Sequence, residues 1–124
     1  MQTRDQRYAE IIFGQVIGHL NRDKREQKEY ESLAKHLPAL VKKAGLAQAL
    51  SFAEGQARRE AGGKQLLDDM KAAINKIGDR QIDLLERSRK AELSEYLWLT
   101  RQVMTALHWY KRFAQSVLEV GNDG

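Results

Sequence analysis

The sequence predicts an all-α protein, and three observations predict it. Apolar residues recur at i, i+3, i+4 and i+7 spacing. A single Pro occurs in 124 residues, and Ala, Leu, Gln, Glu, Lys and Arg, which lose little rotamer freedom in a helix, are abundant. No segment shows the alternation of a half-buried strand. The expected architecture is a compact bundle of about five to six helices with a long C-terminal helix, forming a single domain over residues 1–124. A chain of this length can bury one sizeable core without disulfides or metals. Its 42% hydrophobic and 31% charged residues lie outside the regime that keeps chains disordered.

Each element has its own signal. Thr3 and Gln6 read as a capping box, and Ala9, Ile12, Phe13, Val16, Ile17 and Leu20 make one face of the first helix. Tyr30, Leu33, Ala34, Leu37, Val41 and Ala44 make the second, with a kink or restart expected at Pro38, whose ring crowds the carbonyl of Ala34. Gly45 suits a left-handed cap, and Leu46, Ala49, Leu50 and Ala53 form a short third helix. Residues 55–64 break the periodicity and concentrate Gly with positive charge, which predicts a mobile loop. Leu66, Leu67, Met70, Ala73, Ile74 and Ile77 define a fourth helix ending at Gly78, and Asp79 is placed to cap a short fifth through Ile82 and Leu85. The last helix is the longest, with Leu93, Tyr96, Leu97, Thr100, Val103, Met104, Leu107, Ala114, Val117 and Leu118 mostly on one side and residues 121–124 as a frayed tail.

Composition narrows the function. The net charge of +4 and pI of about 9.4 point to an acidic partner, but 17 carboxylates offset 21 cations, so only clustering makes the excess specific. The absence of Cys removes disulfides, thiolate metal sites and a cysteine nucleophile. No apolar run approaches the roughly 20 residues of a membrane span, and no signal peptide is recognisable, so a cytoplasmic location with no membrane partner is expected.

Catalytic constellations are not evident. His19, His36 and His108 are far apart and lack the one-turn spacing of metal ligands, so no metal and no cofactor is expected. Asp68 with Asp69, and Glu29 with Glu31, point different ways on a helix and read as solvated charges. Ser51, Ser88, Ser94 and Ser116 have no nucleophile elbow, and Gly62-Gly63-Lys64 is not a P-loop.

Cations offer the better lead. Lys42 and Lys43 close the second helix, where they also complement its dipole. Arg58, Arg59 and Lys64 sit in the expected loop, and Arg101 precedes Lys111 and Arg112 on the last helix. Together they are candidates for a stripe that tracks a phosphate backbone without reading bases. Tyr96, Trp98, Trp109, Tyr110 and Phe113 suit core packing or a protein interface better than base stacking. Trp98 and Leu99 are the candidates for an exposed docking surface, because they lean away from Leu97, Thr100 and Met104.

Two segments carry a family resemblance. Leu37 to Phe52 combines a proline-containing helix end, a Gly turn and a small apolar helix. Leu99-Thr100 is followed by Leu107, Trp109, Arg112 and Ala114 in a C-terminal helix where a Trp and an Arg recur among apolar positions. In order and spacing they resemble the small all-helical subunit of the type III-B CRISPR RNA-silencing (Cmr) effector. The resemblance implies a non-catalytic subunit in antiviral defence. Copies would stack head to tail to line a channel for guide and target RNA, against a large polymerase-like subunit and crRNA-binding backbone subunits. It also implies that the isolated chain is a monomer or self-associates weakly, since a head-to-tail contact that never closes must be weak alone. From the residues themselves, a helical protein–protein adaptor without nucleic-acid contact stays open, as does an all-α enzyme with a metal gathered by distant His and Glu residues.

Overall fold

The computed structural model describes residues 1–118, and the tail expected at 121–124 lies outside them. Six helices follow in order: α1 (Arg4–Ile17), α2 (Lys24–Ala44), α3 (Leu46–Arg59), α4 (Ala61–Gly78), α5 (Leu84–Lys90) and α6 (Leu93–Phe113), the last extended by a π-helical turn, Ala114–Leu118. α4 packs against α2 and α3, while α1 and α2 both pack on α6. Their shared core includes Ile12, Leu37, Leu50, Leu66, Met70, Ile74 and Leu99. Each such side chain contributes about 1.5–3 kcal/mol on leaving water.

Local chemistry sets the helix ends. The Thr3 hydroxyl accepts from the Gln6 backbone N–H at 3.0 Å and the Gln6 side chain accepts from Thr3 N–H at 2.8 Å, which completes the capping box. Asp23 caps α2 through Glu26 N–H at 2.8 Å. α2 runs through Pro38 without interruption. The expected restart does not occur; Ala34, Leu37, Pro38 and Val41 are all buried, and packing holds both halves in one helix.

Gly45 joins α2 to α3 with φ 91° and ψ 162°, so its φ is positive as a glycine connector requires, but ψ lies outside the left-handed helical region. The left-handed residue is Asp79, which closes α4 with φ 52° and ψ 43°. Asp79 therefore does not cap α5. Asp83 does, accepting from Glu86 N–H at 3.2 Å.

The segment expected as a mobile loop is helical on both sides of one extended residue, Glu60. Gly62 and Gly63 serve close packing. A Cβ on Gly62 would lie 2.2 Å from the Glu26 carbonyl oxygen and 2.7 Å from Tyr30 N, so only hydrogen fits where α4 starts against α2. The Gly62 N–H donates to Glu29 Oε1 at 3.1 Å, satisfying a donor that the helix start leaves free.

The buried faces are rotated from those read in the sequence. On α1 the inward residues are Tyr8, Ile12 and Val16, leaving Phe13, Ile17 and Leu20 exposed. On α6 they are Leu99, Gln102, Val103, Ala106, Leu107 and Tyr110, and Leu93 and Leu97 face outward. The tyrosines hold this phase because each buried hydroxyl has a partner: Tyr8 donates to Gln102 Oε1 at 2.8 Å and Tyr110 to Gln15 Oε1 at 2.6 Å.

Candidate nucleic-acid interface

The eight candidate cations fall into three groups. Lys42 and Lys43 are exposed in the last turn of α2. Arg58 and Arg59, exposed at the other end of α3, stand about 20 Å away at a rise of about 1.5 Å per residue. Exposed Lys64 follows them in the first turn of α4. These two groups therefore do not join into one stripe. The second group is also engaged locally: Arg58 pairs with Glu54 at 3.8 Å, Lys64 with Asp68 at 2.8 Å, and Arg59 donates to Gln56 Oε1 at 3.2 Å. Exposed pairs of this kind hold their partners weakly.

The third group is built differently. Arg101 and Arg112 are eleven residues apart on α6, about three turns, so they project from the same face, with His108 between them. All three are exposed, and Lys111 is half-buried beside them. From Tyr96 to Leu118 there is no Asp or Glu, and Arg101, Lys111 and Arg112 form no ion pair among the described residues. The turn widens where α6 passes into the π helix. There His108, Lys111, Arg112, Gln115 and Ser116 line an open cleft of about 490 Å³. A cleft lined by cations and no carboxylate raises the local positive potential.

Trp98 is half-buried, with the Arg80 guanidinium 5.1 Å from its ring centroid. Leu99 is fully buried in the core and presents no surface to a partner, which corrects the expectation of an exposed Trp98–Leu99 pair. Its place is taken by Leu93 and Leu97, 71% and 51% exposed. The cause is again the rotation of α6, which turns Leu99 in and Leu97 out.

Two polar groups belong to the interior. His19 is buried with Nε2 2.8 Å from Asp69 Oδ2, and the Tyr30 hydroxyl donates to the same oxygen at 2.9 Å. Burial, and then the neighbouring Asp69 charge, push the Tyr30 hydroxyl far above its ordinary titration range, and the same causes raise Tyr110. Burial also pushes Tyr8 up to about 12 despite the opposing charges of Arg4 and Arg7. All three hydroxyls stay protonated donors. Glu31, read as a solvated charge, is largely buried as well. His36 Nδ1 lies 2.7 Å from the Ser32 carbonyl oxygen one turn back, away from the other histidines. Among the described residues, no three metal-ligating side chains converge, and no helix is long and apolar enough to cross a membrane.

The all-helical fold agrees with the comparisons to known proteins. A family described as "CRISPR-associated protein (Cas_Cmr5)" matches residues 4–117. The chain belongs to the Cmr5 family. The CRISPR system Cmr subunit Cmr5 of Thermus thermophilus is 39% identical over 120 residues, covering 96% of this chain and 99% of that one. The crystal structure of a CRISPR-associated Cmr5 family protein from the same organism superposes with a TM-score of 0.80 at 37% identity, over 95% of this chain and 99% of that one. Cmr5 proteins are non-catalytic subunits, so this chain is not an enzyme.

Proposed function

We propose that the protein is the small subunit of a cytoplasmic type III-B CRISPR ribonucleoprotein effector and that it contacts the guide–target RNA through the outer face of α6. Copies stack head to tail beside the polymerase-like and backbone subunits, and self-association is weak in isolation. The observation that carries the RNA contact is the acid-free face from Tyr96 to Leu118, with Arg101, His108 and Arg112 aligned and a cleft at its end. Fixed cations without competing carboxylates release counterions from a phosphate backbone and bind any sequence alike, which suits a complex whose guide carries the sequence information. Lys42 and Lys43, and Arg58, Arg59 and Lys64, are proposed as secondary contacts at the edges of the same channel. Leu93, Leu97 and Trp98 are proposed as the contact to a neighbouring subunit, because they form the apolar surface at the opposite end of α6.

Ultraviolet crosslinking of RNA in the reconstituted complex, followed by peptide mapping, tests this reading. Crosslinks within residues 98–113 are expected. A complex that assembles and retains RNA with no crosslink to this subunit would favour a protein–protein adaptor and end the RNA-contact reading.

A further inference from the structure

Beside the cationic face lies an aromatic cluster in which Trp109 and Phe113 are half-buried against the core while Phe13 is left at the surface. Phe13 of α1 is 44% exposed although it sits next to the buried residue Ile12. Its ring meets Phe113 edge-on with centroids 5.2 Å apart, and Phe113 in turn stacks on Trp109 at 5.2 Å. Trp109 Nε1 donates to Asp5 Oδ1 at 2.9 Å, which fixes the indole plane and engages that carboxylate. Phe113 and Trp109 each follow a cleft residue, Arg112 and His108 respectively, so the aromatic rings flank the cleft by one position along the helix.

We infer that this platform, Phe13, Phe113 and Trp109, stacks unpaired bases of an RNA strand whose phosphates lie along Arg101, His108 and Arg112. The inference rests on the RNA contact proposed above and adds the class of ligand, unpaired nucleotides of that RNA rather than its paired stretches. Two features argue for this occupant. A polyanion with flat apolar faces matches cations and aromatic rings placed side by side, the combination by which single strands are held without sequence preference. Bases inside a duplex are already stacked and offer no face to Phe13. A protein partner would instead use the aliphatic continuation of the strip, Ile17 and Leu20, exposed by 42% and 50%.

The test measures binding of the full chain to a short labelled oligouridylate and to a duplex RNA of the same length. Phe13→Leu keeps the apolar area and removes the π face, and it should weaken single-strand binding about five- to tenfold with duplex binding unchanged. Arg101→Glu with Arg112→Glu should weaken both, whereas Ile17→Ser with Leu20→Ser should weaken neither. Circular dichroism and thermal melting confirm that each variant folds. If the double Arg variant loses binding while Phe13→Leu binds the single strand like the parent chain, the stacking platform is wrong and the phosphate contact stands. If the parent chain binds neither RNA, both fall. Loss of self-association in Phe13→Leu and in Ile17→Ser with Leu20→Ser alike would mean that the strip seats a second copy, and that result also overturns the inference.

Discussion

Tyr30 on α2 and His19 at the end of α1 share one carboxylate oxygen, Asp69 Oδ2 on α4, at 2.9 and 2.8 Å. Gln15 extends the network, donating to the Asp69 backbone carbonyl at 3.0 Å and accepting from Tyr110 on α6. Asp69 on α4 thereby ties to α2 and to the turn after α1, and through Gln15 to α1 and α6. Buried networks are costly when half satisfied. Asp69→Ala, which leaves two buried groups without partners, should destabilise the protein by about 2–4 kcal/mol, and Tyr30→Phe by about 1–2 kcal/mol. Denaturant titration of both singles and the double variant checks this, with less than additive loss expected because the two residues share one bond.

Glycines supply a contrast. Gly62→Ala puts a methyl group against the Glu26 carbonyl oxygen and should cost about 3 kcal/mol or more, since two backbones must separate. Gly14 is exposed in α1, and a methyl group added there would have no neighbour within 4 Å, so Gly14→Ala should stabilise by about 0.5–1 kcal/mol through helix propensity alone. Opposite shifts in thermal midpoint are expected for the same chemical change.

The two aspartates between α4 and α5 separate in the same way. Asp83→Ala removes the α5 cap and should cost about 1 kcal/mol. Asp79→Gly relieves a positive φ and should leave stability unchanged or raise it. Equal losses from both would mean that Asp79 is the cap after all.

Glu95 binds Arg87 through both carboxylate oxygens, and the Arg87 hydrogen bonds hold its carboxyl below the ordinary carboxylate range. A lowered folded value means that this pair stabilises above the unfolded pKa and loses that effect as pH falls through the folded one. Glu95→Gln should therefore lower the thermal midpoint at neutral pH, and the gap to the parent chain should close in acid below the normal carboxylate range. A gap that stays constant from neutral to strongly acid pH would remove the pair from the pH dependence.

Much of the helix order was legible in the sequence, because caps such as Thr3–Gln6 and runs such as Leu66 to Ile77 carry their signal locally. What was not legible depends on neighbours. Gly62 and Gly63 look like flexibility in a string, yet Gly62 lets α4 approach α2 at Glu26 and Tyr30 far upstream, and Gly63 lets it approach α3 at Gln56. The phase of α6 was misread at Leu97 and Leu99 because Tyr110 and Gln102 count as polar until their partners Gln15 and Tyr8 are known. Single cations could be picked out, but Lys42 and Arg58 stand about 20 Å apart along α3, and only the packing of helices decides which cations share a face. The family resemblance was legible in the order of its two segments and reached further than either the charge or the periodicity.

The central claim is that the outer face of α6 holds RNA within the assembled effector, and the salt dependence of target-RNA retention tests it most directly. Each lost phosphate contact should reduce the slope of log affinity against log salt by about 0.7–1, so Arg101→Glu with Arg112→Glu should reduce it by about 1.4–2 while subunit composition stays intact. Lys42→Glu with Lys43→Glu should give a smaller change, and thermal midpoints should barely move because exposed charges contribute little to stability. A complex carrying the Arg101 and Arg112 changes that assembles normally and retains RNA with unchanged affinity and slope would contradict the account.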